Sequence, residues 1–306
     1  MKPIIKIPVD ELSKLYVTRG FTARQTADQY RCSVSAVYHH LHRNGISRRS
    51  KSEAALRRWG THEQLKDFSA HPVEKAYLIG FRLGDLSIAR TYHGSSVLAV
   101  SAGSTRSEQI DLIRLLFQPY AHITVSDYDD GGRLAHGMHC TLNNSFEFLL
   151  DKPDHVPAWI DGSDDLFVAF FAGLVDAEGC IYIHKIHGSV CGAFAPGMNI
   201  KEVLRVCRVH LIALGVRCGN LVLMRRAGQS NKAGFVTRKD VWRLSIESKA
   251  GVLRLFELIS PHVKHAVRRQ DMDRIQKNIN WRNSEEFRND VLQRRHHKRL
   301  RGDVSR

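Results

Sequence analysis

The sequence predicts an α+β fold made of two pseudo-symmetric halves, each ordered α-β-β-α-β-β-α, behind a small all-α N-terminal domain. Three observations carry this reading. First, Ala76 to Ile88 (AYLIGFRLGDLSI) aligns with Ala169 to Ile181 (AFFAGLVDAEGCI) at an offset of 93 residues. Gly80 then falls on Gly173, Gly84 on Ala177 and Asp85 on Glu178. Second, each copy is followed by two strand patterns, a helix, two more strands and a last helix, an order that gives antiparallel hairpins rather than parallel crossovers. Third, residues 8–46 break into short helical segments punctuated by capping residues and glycine.

The N-terminal segment 10–19 carries Leu12, Leu15 and Tyr16 and is closed by Gly20. Thr22, with Gln25 three residues on, predicts a capping box for the helix that follows. Ser33 caps a second helix that Gly45 stops, and Ala27, Val34, Val37 and Leu41 supply a small core. Two short helices on a tight turn, the second rich in Ser, Tyr, His and Arg, resemble the helix-turn-helix modules of DNA-binding resolvases and regulators. That resemblance implies a DNA-binding domain over 1–58. Its contacts would come from Ser33, Ser35, Tyr38, His39, His42 and Arg43, and from Arg48 and Arg49 in the basic run behind them.

The first half is expected over 70–150. Its strands lie near 87–93, 96–102, 121–127 and 134–142, with helices at 105–117 and 144–150. A linker containing Pro and Asp, 151–165, leads to the second half, 166–280. There, strands near 180–186, 189–196, 217–224 and 239–247 alternate with helices at 200–215 and 249–259. Residues 281–306 read as a basic tail.

Composition narrows the function. With 43% hydrophobic and 25% charged residues among 306, the chain is not a disordered one. No apolar run approaches the ~18 residues of a membrane span, and the quickly charged N-terminus does not read as a secretion signal. The expected setting is the cytoplasm of a bacterium, archaeon or phage-infected cell, or an organelle. Net charge is +15, with +7 in each of residues 1–70 and 264–306 and +1 between them, which points to a polyanionic partner. The six cysteines include no C-x-x-C pair and read as small core residues rather than zinc ligands or disulfides.

Helix geometry gives the repeat a purpose. Gly80 and Gly84 share one helix face, as do Gly173 and Ala177, so two backbones can approach closely there. That packing brings Asp85 and Glu178 together at two helix C-termini, where they repel each other and oppose the helix dipoles. Divalent cations, which take hard oxygen ligands, would resolve the conflict.

FFAGLVDAEG (Phe170 to Gly179) closely resembles the LAGLIDADG signature of homing endonucleases, and LIGFRLGDL (Leu78 to Leu86) is a looser copy in which Leu83 and Leu86 replace an acid and a glycine. The resemblance covers about residues 70–265. It implies a monomer with internal pseudo-twofold symmetry, whose two curved sheets form a saddle over double-stranded DNA. It further implies that Asp85 and Glu178, with the preceding Gly84 and Ala177, form the Mg²⁺ or Mn²⁺ site for hydrolysis of both strands. Lys249, twelve residues before Pro261, matches the family's assisting lysine; the first half offers only Asn143 or Asn144 there. Arg82 is expected to point away from the helix interface. Outward strand positions Arg90, Tyr92, Arg133, His136, His184, Lys185 and Lys201 are candidate DNA contacts. The basic hairpin segment 225–239, with Arg225, Arg226, Lys232, Arg238 and Lys239, would clamp phosphates, whereas its first-half counterpart SDYDDGG (126–132) is acidic. Two other readings share this fold: a non-catalytic DNA-binding regulator, and a maturase acting on intron RNA. Met1 and the closing DVSR lack splicing residues, so an intein is not expected.

Overall fold

The computed structural model describes residues 7–50, 53, 65–68, 71–84, 86–181, 200–230, 234, 236–289, 292 and 293. At the N-terminal end, α1 (Val9–Ser13) runs straight into a π-helical turn, Lys14–Thr18. Two helices follow, α2 (Ala23–Gln29) and α3 (Val34–Arg43). The capping box is complete: Gln25 N donates to Thr22 Oγ1 at 3.1 Å, and Thr22 N donates to Gln25 Oε1 at 2.8 Å. Ser33 Oγ accepts from Ala36 N at 3.1 Å. Arg31, at φ 49°, turns the chain between the helices. Ile7, Leu12, Tyr16, Ala23, Ala27, Val37 and Leu41 close into an apolar cluster separate from the main core.

Arg49, expected on phosphate, is turned inward. Its guanidinium lies over the Tyr16 ring and donates to the carbonyls of Phe21 and Tyr16, tying the end of this unit to its beginning. Arg48 is exposed, with its guanidinium 4.5 Å from the Tyr38 ring centre.

The first half contains α4 (Pro72–Arg82), β1 (Ser87–Arg90), β2 (Val97–Ser104), α5 (Ser107–Phe117), β3 (Ile123–Asp129) and β4 (Leu134–Asn143). A 3₁₀ segment, Asn144–Leu149, ends it. Its four strands form an antiparallel sheet ordered β1-β2-β4-β3. One face, with Ile88, Leu98, Val100, Met138, Cys140 and Leu142, is buried in the core.

The stretch expected as a linker carries a helical turn, α6 (Ala158–Asp161), and the buried side chains Val156 and Ile160. The second half continues with α7 (Asp164–Glu178), α8 (Lys201–Ala213), β5 (Val222–Arg225), β6 (Val241–Arg243) and α9 (Lys249–Ile259). Most of the strands expected at 180–186 and 189–196 lie outside the described residues. A further helix, α10 (Ala266–Asn283), buries Met272, Ile275 and Ile279 on one stripe.

The centre of the molecule is the pair α4 and α7. Residues Phe167 to Ala177 of α7 are all buried, with Asp176 the one charged side chain in an otherwise apolar stretch. His210 fixes this helix to its neighbours. Its Nδ1 pairs with Asp161 Oδ1 at 3.1 Å and its Nε2 with Asp164 Oδ1 at 2.9 Å, while its ring stacks on Phe167. Among the described residues no helix is long and apolar enough to cross a membrane. Cys32, Cys140, Cys180, Cys207 and Cys218 are free thiols.

Candidate functional site

The two repeated helices meet backbone to backbone. A Cβ placed on Gly80 would lie 1.9 Å from the Phe170 carbonyl oxygen and 3.1 Å from Leu174 N. A Cβ on Gly173 would lie 2.1 Å from the Tyr77 carbonyl oxygen and 2.9 Å from Phe81 N. Phe170 and Leu174 are the repeat equivalents of Tyr77 and Phe81, so the contacts exchange when the copies exchange. This is a local pseudo-twofold, and glycine is the residue that permits it.

One turn further along, the C-terminal ends converge. A Cβ on Gly84 would stand 2.6 Å from Ala177 Cβ, 2.8 Å from Glu178 Cγ and 3.0 Å from Glu178 Oε1. The Glu178 carboxylate therefore lies beside Gly84, the residue before Asp85. Asp85 itself lies outside the described residues. No group of three or more His, Cys, Asp or Glu side chains is assembled among the described residues. The Glu178 carboxylate beside Gly84 is a hard oxygen donor of the kind Mg²⁺ and Mn²⁺ take, so its chemistry fits such an ion.

A second polar feature sits behind Glu178. Asp176 is fully buried; its Oδ2 accepts from Tyr77 Oη at 2.6 Å and from the main-chain N–H groups of Lys264 and His265 at 2.6 and 3.2 Å. One carboxylate thus joins α4, α7 and the start of α10. Burial pushes its pKa up, and the same burial, reinforced by the charge of Asp176, holds the Tyr77 phenol well above its ordinary value. Lys264 stacks its ammonium 4.4 Å from the Tyr77 ring centre, and burial lowers its pKa. Asp176 Oδ1 and Arg268 Nε are buried without a hydrogen-bond partner among the described residues. This network is one-sided, since the repeat places Leu83 opposite Asp176 and Phe170 opposite Tyr77.

Arg82 points away from the helix interface, yet it is buried rather than on the surface. Its Nε donates to Leu149 O at 2.8 Å and its Nη1 to Leu86 O at 2.6 Å. Lys249 stands at the first position of α9 with its Nζ on Asn283 Oδ1, 3.0 Å away. Asn143 and Asn144, the first-half alternatives, are engaged locally. Asn143 holds Asp67 and caps the 3₁₀ segment, and Asn144 bonds Arg90 and Glu147.

The outward face of the first-half sheet differs from expectation. Cross-strand pairing puts Thr124, His139, Ser101 and Ser87 in one row, with Ser126, Gly137 and Gly103 beside it and Thr141, Ala99 and Ala89 on the other side. Tyr128 lies across the glycines, its hydroxyl 2.9 Å from where a Gly103 Cβ would stand. This face is small and hydroxyl-rich. Arg90 and His136 have the opposite strand parity. Arg90 is spent on Ser95 O, Asn144 and Glu147, and His136 pairs with Asp127 at 2.7 Å. The alternation of Val100, Met138, Cys140 and Leu142 with these polar residues was the signal for the correct face. Tyr92 and Arg133 sit in the hairpin ends of this sheet. Lys201 starts α8 rather than lying on a strand, with its ammonium 4.2 Å from the Trp242 ring centre. Arg225, Arg226, Arg238 and Lys239 are exposed on the β5–β6 hairpin, while His184, Lys185 and Lys232 lie outside the described residues. In α3, Ser35, His39, His42 and Arg43 are exposed and Tyr38 is half-buried.

No family model matches the chain, and no curated protein matches it. Solved structures do resemble it. The crystal structure of I-DmoI in complex with DNA and Mn is similar at 17% identity and TM-score 0.41, over 62% of this chain and 97% of that one. The homing endonuclease I-WcaI bound to its DNA recognition sequence is similar at 13% identity and TM-score 0.44, over 72% and 93%. Full-length DUF199/WhiA from Thermatoga maritima is similar at 14% identity and TM-score 0.44, over 83% and 74%. The structural neighbours of the chain are thus LAGLIDADG homing endonucleases and the LAGLIDADG protein WhiA, each at low identity.

Proposed function

We propose that this chain is a monomeric, divalent-metal-dependent, site-specific endonuclease of double-stranded DNA. The observation that carries the reading is the convergence of the two motif helix ends, with Gly84 pressed against Ala177 and Glu178. Two repeats that end in an acid gain nothing in stability from meeting at those acids. Bound Mg²⁺ or Mn²⁺ would supply Lewis-acid polarisation of a phosphodiester and a water nucleophile at neutral pH. Glu178 and Asp85 would hold the ion, with Gly84 and Ala177 allowing the close approach.

The remaining residues bind and orient. The hydroxyl-rich face of the first sheet offers Ser87, Ser101, Thr124, Ser126 and Thr141 as hydrogen-bonding groups, and His139 beside them. The exposed arginines of the β5–β6 hairpin and the basic α3 unit supply phosphate contacts. Residues 7–50 act in this reading as a helix-turn-helix that extends the site, so removing 1–58 weakens affinity more than the rate on saturating DNA. Lys249 is assigned an assisting role in the second half.

Cleavage and binding by Asp85→Asn and Glu178→Gln test the assignment. Each variant is expected to lose cleavage and retain its dissociation constant for the same DNA. Normal cutting by either variant removes the site.

A further inference from the structure

We propose that Lys152 is a built-in counter-cation of the first half-site: it holds the oxygens at the end of α4 until a divalent cation takes its place. The proposal rests on the metal reading above, and it makes the two halves unequal in their hold on metal.

The two motif helices end differently. At the end of α7, Gly179 N donates to Val175 O at 2.7 Å, and a Cβ on Gly179 would stand 2.3 Å from that oxygen. That closure demands glycine. The repeat equivalent of Gly179 is Leu86, and α4 closes instead on two tightened turns, Leu83 N to Gly80 O and Gly84 N to Phe81 O, both 3.2 Å. Its last carbonyls are handed to side chains. Lys152 Nζ donates to Gly84 O at 3.0 Å and to Leu83 O at 3.3 Å. Arg82 makes this reach possible. Its Nε and Nη2 donate to Leu149 O and Leu150 O, which fixes the chain just ahead of Lys152 against α4.

A lysine on helix-end carbonyls is favourable for the dipole by itself. What sets this one apart is the oxygen it uses. Gly84 directly precedes Asp85, and its α-carbon faces the Glu178 carboxylate. A divalent cation drawing on the same helix-end oxygens meets the ammonium at close range, and like charges at that distance exclude one another. In the absence of metal, Lys152 neutralises the end of α4. With metal, it yields, and the segment that carries it loses one anchor. At the end of α7 the closing bond is backbone, Lys249 is held by Asn283, and the nearby cations Lys264 and Arg268 act on buried Asp176; among the described residues none of them donates to a last carbonyl of that helix.

The test is Mn²⁺ binding to the full chain without DNA, read from the electron paramagnetic resonance signal of free Mn²⁺. Lys152→Gln removes the charge and keeps N–H donors for the cap; Lys152→Arg keeps both; Lys152→Met removes both. The Gln and Met variants are expected to bind Mn²⁺ more tightly by about threefold or more at low salt, and the Arg variant to match the wild type. In EDTA, melting temperature is expected to fall more for Met than for Gln, which separates the cap from the charge. If Asp85→Asn and Glu178→Gln bind Mn²⁺ as well as the wild type does, the metal site falls and Lys152 falls with it. If both lose Mn²⁺ while Lys152→Gln binds it no more tightly than the wild type, the metal site stands and the Lys152 proposal alone is overturned.

Discussion

The middle of the α4–α7 pair and its end obey different rules. At Gly80 and Gly173 the two copies are interchangeable, each glycine meeting the same backbone atoms of the other copy. Within two turns the symmetry is gone. Asp176 has Leu83 as its repeat equivalent, Tyr77 has Phe170, and Gly179 has Leu86, with Lys152 and Arg82 closing the end of α4. Backbone contact tolerates no side chain, so both copies keep glycine. Polar contacts can be satisfied by whatever group arrives, so each copy acquired its own.

The largest effect expected from this comparison is at the symmetric positions. Gly80→Val and Gly173→Val each place side-chain carbons onto a backbone oxygen and are expected to cost about 3 kcal/mol or more in denaturant unfolding, by similar amounts. A large loss at one glycine with a mild loss at the other breaks the symmetry argument. Next comes the one-sided network. Tyr77→Phe leaves buried Asp176 with one donor fewer, an expected loss of about 1–3 kcal/mol. Phe170→Tyr adds a hydroxyl where Leu83 offers no acceptor and is expected to destabilise as well; a neutral result there would show that the two sides are chemically alike.

A third effect is visible in pH. His265 is buried, and its Nδ1 accepts from Val267 N at the start of α10. Burial first, and Arg268 beside it second, lower its pKa from 6.5 to about 4. A histidine depressed in the folded state binds its proton more readily when unfolded. Its stabilising contribution is complete above pH 6.5 and is lost as the pH falls toward about 4. His265→Asn keeps a capping acceptor without the titration and is expected to flatten the stability curve across that window. An unchanged pH slope in urea melts contradicts the assignment. The smallest effect concerns the hairpins. Arg225→Ala and Arg226→Ala are expected to lower the salt slope of DNA binding by about one each, whereas Asp129→Asn and Asp130→Asn in the acidic hairpin leave it unchanged or steepen it. Equal slopes in all four would make the two hairpins equivalent.

What the sequence made legible follows the same division. Gly80 and Gly173 announced the interface because close backbone approach leaves no alternative residue. Thr22, Gln25 and Ser33 announced their helices because a cap is a local contact. Long cationic side chains were the poor guide. Arg49, Arg82 and Lys152 look like surface charge in sequence, yet each donates to carbonyl oxygens that only tertiary structure brings near. The helix at Ala266–Asn283 was hidden by its polarity, since three buried residues in eighteen make a faint stripe. The outward face of the first sheet is legible in the alternation, which selects Ser101, Thr124 and His139, whereas positive charge alone selects Arg90 and His136.

The central claim is that the two motif acids form one metal-dependent cutting site. The most direct measurement is cleavage of a randomised double-stranded DNA library by the wild type and by Glu178→Gln, each with Mg²⁺ and with EDTA. Defined double-strand breaks that need both Mg²⁺ and Glu178 are the predicted result, and they yield the target sequence at once. Selective binding with no cleavage under any condition, or breaks that persist in Glu178→Gln, would contradict it.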